Sequence, residues 1–260
     1  MKRVILITSH ELRHKFLCHY LNSQKNIDLL YAVHEKIEKL SDNKNLKIFS
    51  IFKKHINDRK ISEIKYFKKY KKKYHRFYLK KGYVNQDKFI KKIKSDNPDY
   101  IITFGCSILK DNFIKNFGNI TFNIHLGLSP YYRGSGTNFF PFVYKELHFI
   151  GSTIMKISKK IDDGYIVTQV RPEIKKNDKI HDIGNKVILK TAKALKKIIL
   201  SKKIRYYRKR INKNCKYFRR KDFTISNLKK AYYNLNSGMI KDYLKNRNKL
   251  IKKFPIIEKY

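Results

Sequence analysis

Two hydrophobic periods divide the chain into strands and helices. Residues 3–8 (RVILIT) form an unbroken apolar run, the pattern of a parallel strand buried on both faces. Helical spacing follows over 11–22, with Ser9 placed to cap it, and residues 27–33 give a second apolar run. Strand, helix and strand at this spacing make a βαβ unit, so the fold class is α/β with a doubly wound, mostly parallel sheet. Residues 86–95 predict a helix that stops at Asn97–Pro98, and 99–104 (DYIITF) predict a core strand. Strands are expected at 121–125, 151–155 and 165–170, and a helix at 138–146 with Phe139, Phe142 and Val143 inward. Apolar residues at Ile180, Ile183, Val187, Ile188, Ala192, Leu195 and Ile199 mark a long amphipathic helix closing the domain.

Residues 35–85 carry the weakest pattern and predict one or two helices and a strand. There Phe67, Tyr70, Tyr74, Phe77 and Tyr78 alternate with lysines. Such a stretch can stack bases, but a helix with an apolar stripe and a solvated basic face is the simpler expectation. After Ser201 the character changes to a basic, aromatic cluster at 205–210. A short strand or turn is expected at 217–223. Thr224 should cap a helix to about 234, Gly238 should interrupt it, and a further helix should run to about 254. The expected division is 1–205 as the α/β domain and 206–260 as a small, helical C-terminal extension.

The candidate chemistry lies at 121–164. Alternation in Thr121-Phe122-Asn123-Ile124-His125 puts Asn123 and His125 on one face of a strand. A turn-rich loop follows with Pro130, Arg133, Gly134, Ser135 and Gly136, and later a polar loop with Asp162, Asp163 and Gly164. An amide donor, an imidazole and a carboxylate on converging segments suit acyl transfer to an amine. Asn123 and a protonated His125 can donate to a developing oxyanion, and Asp162 can hold the imidazole. No Ser or Cys nucleophile is required, because the amine attacks directly.

This stretch resembles the folate-dependent formyltransferases: Asn123-x-His125, then Leu128-x-Pro130-x-Tyr132-Arg133-Gly134, then Asp162-x-Gly164. That family includes glycinamide ribonucleotide, methionyl-tRNA and sugar N-formyltransferases. The segment from Ser129 to Pro141 is most similar to relatives in surface-polysaccharide pathways; Thr137 departs from the Pro that many members carry. The resemblance covers roughly 1–205. It implies 10-formyltetrahydrofolate as formyl donor, with Asn123, His125 and Asp162 catalytic. It also implies a pterin pocket along Phe104, Gly105, Ser107, Ile108 and Leu109, facing Gly164. The acceptor is expected beside Ser9, Arg13, Arg133 and Gly134, and is expected to be a nucleotide-linked amino sugar. The loop after the first strand is a place where backbone N–H groups bind phosphate, but it lacks the glycines of the glycinamide ribonucleotide branch. Arg13 can reach a phosphate there or serve as a surface arginine. A methionyl-tRNA acceptor, and a non-catalytic RNA-binding protein on the same fold, are the competing readings.

Composition changes this picture little. The formal net charge is +42, with abundant Lys, Ile, Asn, Tyr and Phe and no Trp. The lysines are spread along the chain, which favours compositional drift over a dedicated nucleic-acid patch; the charge would still attract anionic substrates. Cys18, Cys106 and Cys215 have no paired spacing, as expected in a reducing cytoplasm. The first apolar run is too short for a secretory segment, and no run approaches the roughly 18 residues of a membrane span. His10, His14 and Cys18 share a helix face, but no fourth metal ligand accompanies them. A homodimer is left open.

Overall fold

The computed structural model describes residues 1–36, 44–158, 164–208 and 215–258. In order the elements are β1 (Lys2–Thr8), α1 (Leu12–Asn22), β2 (Ile27–Lys36), α2 (Lys44–Lys47), α3 (Ser50–Phe67) and β3 (Arg76–Lys80). Next come α4 (Asp87–Asp96), β4 (Tyr100–Phe104), α5 (Asp111–Phe117), β5 (Thr121–His125), β6 (Tyr132–Gly134) and α6 (Phe140–Val143). The rest are β7 (Ser152–Lys156), β8 (Ile166–Val170), α7 (Ile180–Leu200), β9 (Lys216–Phe218), α8 (Ile225–Asn236) and α9 (Met239–Lys253). A seven-stranded sheet runs β3-β2-β1-β4-β5-β7-β8, and a two-stranded one pairs β6 with β9. The strands from β3 to β5 are parallel, whereas β7 and β8 are antiparallel.

Val4, Ile5, Leu6 and Ile7 are fully buried, so β1 is covered on both faces as its unbroken apolar run requires. Each such side chain contributes roughly 2 kcal/mol by leaving water. From β1 the chain builds outward to β2 and β3 on one side and to β4 and β5 on the other. That reversal leaves a crevice at the carboxyl ends of β1 and β4, the usual ligand position in such sheets. Long helix α7 presents Ile183, Val187, Ala192 and Leu195 to the core at helical spacing.

Three local expectations are corrected. Helix α1 starts at Leu12 with Glu11, not Ser9, in the cap position; Ser9 is buried, and its carbonyl accepts from His34 Nδ1 at 2.7 Å. The aromatic and lysine stretch is not one helix, because α3 ends at Phe67 and β3 begins at Arg76. Its rings pack separately: Phe67 and Tyr70 against Phe16, Phe77 against Tyr31, and Tyr74 by its hydroxyl on His34. The helix expected at 138–146 shrinks to α6 and a 3-10 turn, Leu147–Phe149, separated by Lys145 in the left-handed region at φ 55°.

The C-terminal segment is woven into the same core. Leu228, Ala231, Met239 and Ile240 join the hydrophobic cluster that holds α7, and Asn234 Nδ2 donates to the carbonyls of Phe142 and Val143 at 2.9 and 3.0 Å. Thr224 caps α8, accepting from Asn227 N at 3.2 Å, and Gly238 takes φ 85° between α8 and α9. Along β8, Gln169 N donates to Ile257 O at 2.6 Å, and Ile166 and Tyr207 exchange two backbone bonds of 2.8 Å.

Candidate functional site

A cavity of about 670 Å3 opens at the crevice where the strand order reverses. Its wall includes Asn123 and His125 of β5, the 103–109 segment ending β4, Arg13 and His14 of α1, and His181 and Asn185 of α7. Parallel register places Thr103 beside Asn123, and Thr103 Oγ1 donates to Asn123 Oδ1 at 2.9 Å. With its oxygen engaged, the carboxamide has its NH2 as the end free to act on a ligand. His125 is buried, and its Nε2 lies 3.1 Å from the carbonyl of Tyr132. A carbonyl only accepts, so Nε2 carries the hydrogen. Gly127 makes this approach feasible: a Cβ there would lie 2.7 Å from His125 Nε2 and 2.6 Å from Thr137 Oγ1.

Across the cavity runs the 105–109 loop. Gly105 turns it at φ 62°, where a Cβ would come within 2.8 Å of His14 Nε2. Glu35 fixes the loop from beneath. This fully buried carboxylate accepts from Ser107 N at 2.6 Å, Ser107 Oγ at 2.8 Å and Gly82 N at 2.8 Å. Burial, with Glu35 nearby, pushes the Cys106 thiol up to about 12, so it is protonated and unreactive at neutral pH. Ile108, Leu109, Ile114 and Met155 supply apolar wall, with Gly164 opposite.

At its other end the cavity meets α3, α7 and the C-terminal segment. Arg13 donates to Glu63 Oε1 at 2.6 Å and also to Glu11. Arg59, His55, Phe139 and Phe223 line the same end. Both imidazoles there are neutral: burial lowers His55 to about 2 and His181 to about 3.

Of the residues expected to act together, Asn123, His125, Phe104, Gly105, Ser107, Ile108, Leu109, Gly164, Arg13 and Gly134 border this one cavity. Ser9 and Arg133 do not line it; Arg133 lies on β6 beside Tyr217 of β9. Asp162 lies outside the described residues. Glu35, Thr103, His55 and Arg59 carry no motif that marks them. Glu35 alone left a trace, as an acid ending an apolar strand. Among the described residues no group of three His, Cys, Asp or Glu side chains could hold a metal ion. The thiol of Cys18 instead donates to the carbonyl of His14. No helix among the described residues is long and apolar enough to cross a membrane.

Comparison with known proteins decides the family. A sequence model described as formyl transferase matches residues 2–199. This chain belongs to the formyl transferase family. It is 29% identical over 127 residues to a methionyl-tRNA formyltransferase from Caldicellulosiruptor saccharolyticus, a match covering 44% of this chain and 39% of that protein. The chain thus matches about two-fifths of that curated relative's length. Among solved structures, a sugar N-formyltransferase from Shewanella sp. FDAARGOS_354 superposes with a TM-score of 0.56 at 17% identity, covering 90% of this chain and 87% of the other. The formyltransferase PseJ from Anoxybacillus kamchatkensis, crystallised with UDP-4,6-dideoxy-4-formamido-L-AltNAc and tetrahydrofolate, gives 0.50 at 19% identity, covering 85% and 87%. For a formyl transferase the crevice position is apt, since a donor and an acceptor must meet over one polar wall.

Proposed function

We propose that this chain transfers a formyl group from 10-formyltetrahydrofolate to the primary amine of a nucleotide-linked amino sugar. The observation that carries the reading is Asn123 and His125 on one cavity wall, with Thr103 turning the carboxamide so that its NH2 is available. The donor end fits a flat heterocycle: Ile108, Leu109, Ile114 and Met155 give apolar surface, and the 104–109 backbone lies along the cavity edge. The sugar acceptor is supported by structural neighbours whose names are sugar N-formyltransferase and sugar 3N-formyl transferase.

The donor supplies an activated formyl carbon. When the acceptor nitrogen bonds to it, the carbonyl oxygen gains negative charge. Asn123 donates to that oxygen, and His125 does so with charge assistance once Nδ1 is protonated. Asp162, by resemblance, favours the charged form of His125 and helps carry the proton from the attacking nitrogen. The bond to the folate nitrogen then breaks, and that nitrogen takes up the proton. The cavity wall keeps competing water away from the carbon.

A second reading keeps the chemistry and makes the acceptor methionyl-tRNA, favoured by the curated relative and by the net charge of +42. The test incubates purified protein and 10-formyltetrahydrofolate with a panel of nucleotide-linked amino sugars and with charged methionyl-tRNA. The expected product is a formylated nucleotide-sugar, detected by mass. Asn123→Ala should lower its turnover on the order of 100- to 1,000-fold. Formylation of the tRNA alone would move the assignment to the second reading. Near-normal turnover by Asn123→Ala would remove the mechanism.

A further inference from the structure

Two arginines line the α3 end of the cavity, and they are held very differently. Arg13 is saturated by carboxylates, one from Glu63 and one from Glu11. Arg59 has no carboxylate within ion-pair distance among the described residues. Its one protein hydrogen bond there runs from Nη2 to His55 Nε2, at 3.4 Å. A guanidinium only donates, so His55 Nε2 must accept, and the hydrogen of this neutral imidazole sits on Nδ1. Nδ1 then donates to Tyr232 Oη at 3.3 Å, and Tyr232 Oη donates to Asp58 Oδ2 at 3.4 Å. This relay from α8 through α3 fixes one edge of the Arg59 fork. The remaining N–H groups find no acceptor among the described residues, and Arg59 lines the cavity. Burial and the Arg13 charge lower Arg59 only to about 10, so it stays a cation at neutral pH.

We propose that Arg59 is the receptor for a phosphoryl group of the acceptor, with Tyr232 of the C-terminal segment as its positioning residue. Glu11 and Glu63 balance the two arginines in total charge, but each carboxylate accepts its hydrogen bond from Arg13 and neither reaches Arg59 within ion-pair distance. The donors left over belong to Arg59, and a planar fork matches phosphoryl oxygens two at a time. His55, His181, Phe139 and Phe223 around it are uncharged, so the pairing is only weakly screened. The inference deepens the reading above by assigning the part of the acceptor that identifies it as a phosphorylated compound. The folate carboxylates are the other source of an anionic oxygen, and the test separates the two.

Inorganic pyrophosphate and 5-formyltetrahydrofolate are titrated calorimetrically, at physiological salt, into wild type, Arg59→Met, Tyr232→Phe and Asn123→Ala. Arg59→Met should weaken pyrophosphate about ten- to a hundredfold and leave the folate within about twofold. Tyr232→Phe, which removes only a hydroxyl, should weaken pyrophosphate severalfold. Asn123→Ala should bind pyrophosphate as wild type does, so the result stands apart from any outcome of the formyl-transfer assay. Arg59→Met should melt no lower than wild type, since it removes a half-buried cation that has no carboxylate partner among the described residues. Pyrophosphate should raise the melting temperature of wild type and not of Arg59→Met. Equal pyrophosphate binding by wild type and Arg59→Met would assign it to surface lysines and overturn the proposal. So would a loss of folate binding in Arg59→Met, or wild type that binds no pyrophosphate.

Discussion

At the rim end of the cavity, the working surface is backbone. The 105–109 loop is tied to the sheet by Glu35 of β2, which accepts two hydrogen bonds from Ser107 and one from Gly82, and is held also by Asn85 Nδ2, which donates to Ile108 O at 3.0 Å. At the α3 end the surface is side chain, assembled from α1, α3 and α7, and its bonds join residues as far apart as His55 and Tyr232 of α8 behind it. The Glu35 bonds are 2.6 to 2.8 Å long, whereas the two contacts of the His55 ring are 3.3 and 3.4 Å. A site that receives one fixed donor can be rigid. A site that selects among acceptors gains from parts that can be exchanged without disturbing the sheet.

Four measurements break or sharpen this contrast. Glu35→Ala leaves the Ser107 and Gly82 N–H groups unpaired, and should cost about 3 kcal/mol in denaturant unfolding. It should also raise the KM for the folate donor and leave that for the acceptor unchanged; a matching rise in both would erase the distinction between the ends. Acid should act through the α3 end. His181 holds a folded pKa of about 3 against an unfolded value near 6.5, because of burial and then Arg59. Between those values the unfolded chain binds the proton and the folded one does not, so stability falls as pH drops through that window. His181→Gln should flatten the fall by up to about 1.4 kcal/mol per pH unit in melts from pH 6 to pH 4. Thr103→Val frees the oxygen of Asn123 to rotate toward the ligand, and should lower kcat by about three- to tenfold with little change in either KM. Thr224→Ala removes the α8 cap, costing about 1 kcal/mol in unfolding and raising the acceptor KM slightly, through Tyr232.

The sheet was readable because burial writes itself into period. Residues 3–8 and the 180–199 spacing predict β1 and α7 within a residue or two. Asn123 and His125 were readable because two-residue alternation and a motif fall on the same strand. The 67–78 stretch misled, since rings spaced at 67, 70, 74 and 77 fit a helix as well as an extended run anchored ring by ring. Propensity cannot separate these, because the partners Phe16 and Tyr31 lie elsewhere in the chain. The α3 end was illegible for the same reason. Arg59 looks like any helix arginine until α7 and α8 close over it. The Ser9 cap failed because α1 begins only at Leu12, with Glu11 in the cap position, while Ser9 is held by its carbonyl to His34, a partner 25 residues away.

The bonds between β8 and the end of the chain bear on how copies of this protein treat one another. β8 closes one side of the large sheet, and an uncovered side strand invites the same strand of a second molecule. Ile257 and Tyr207 occupy those hydrogen-bonding positions, aided by Thr168 Oγ1, which donates to Ile257 O at 3.0 Å. Truncating after Pro255, which keeps Phe254 packed on Tyr131, His148 and Phe149, would therefore leave the interior folded and make the protein self-adhesive, visible as concentration-dependent light scattering. A few residues lying far from the chemistry would then set how concentrated this protein can become before it clumps.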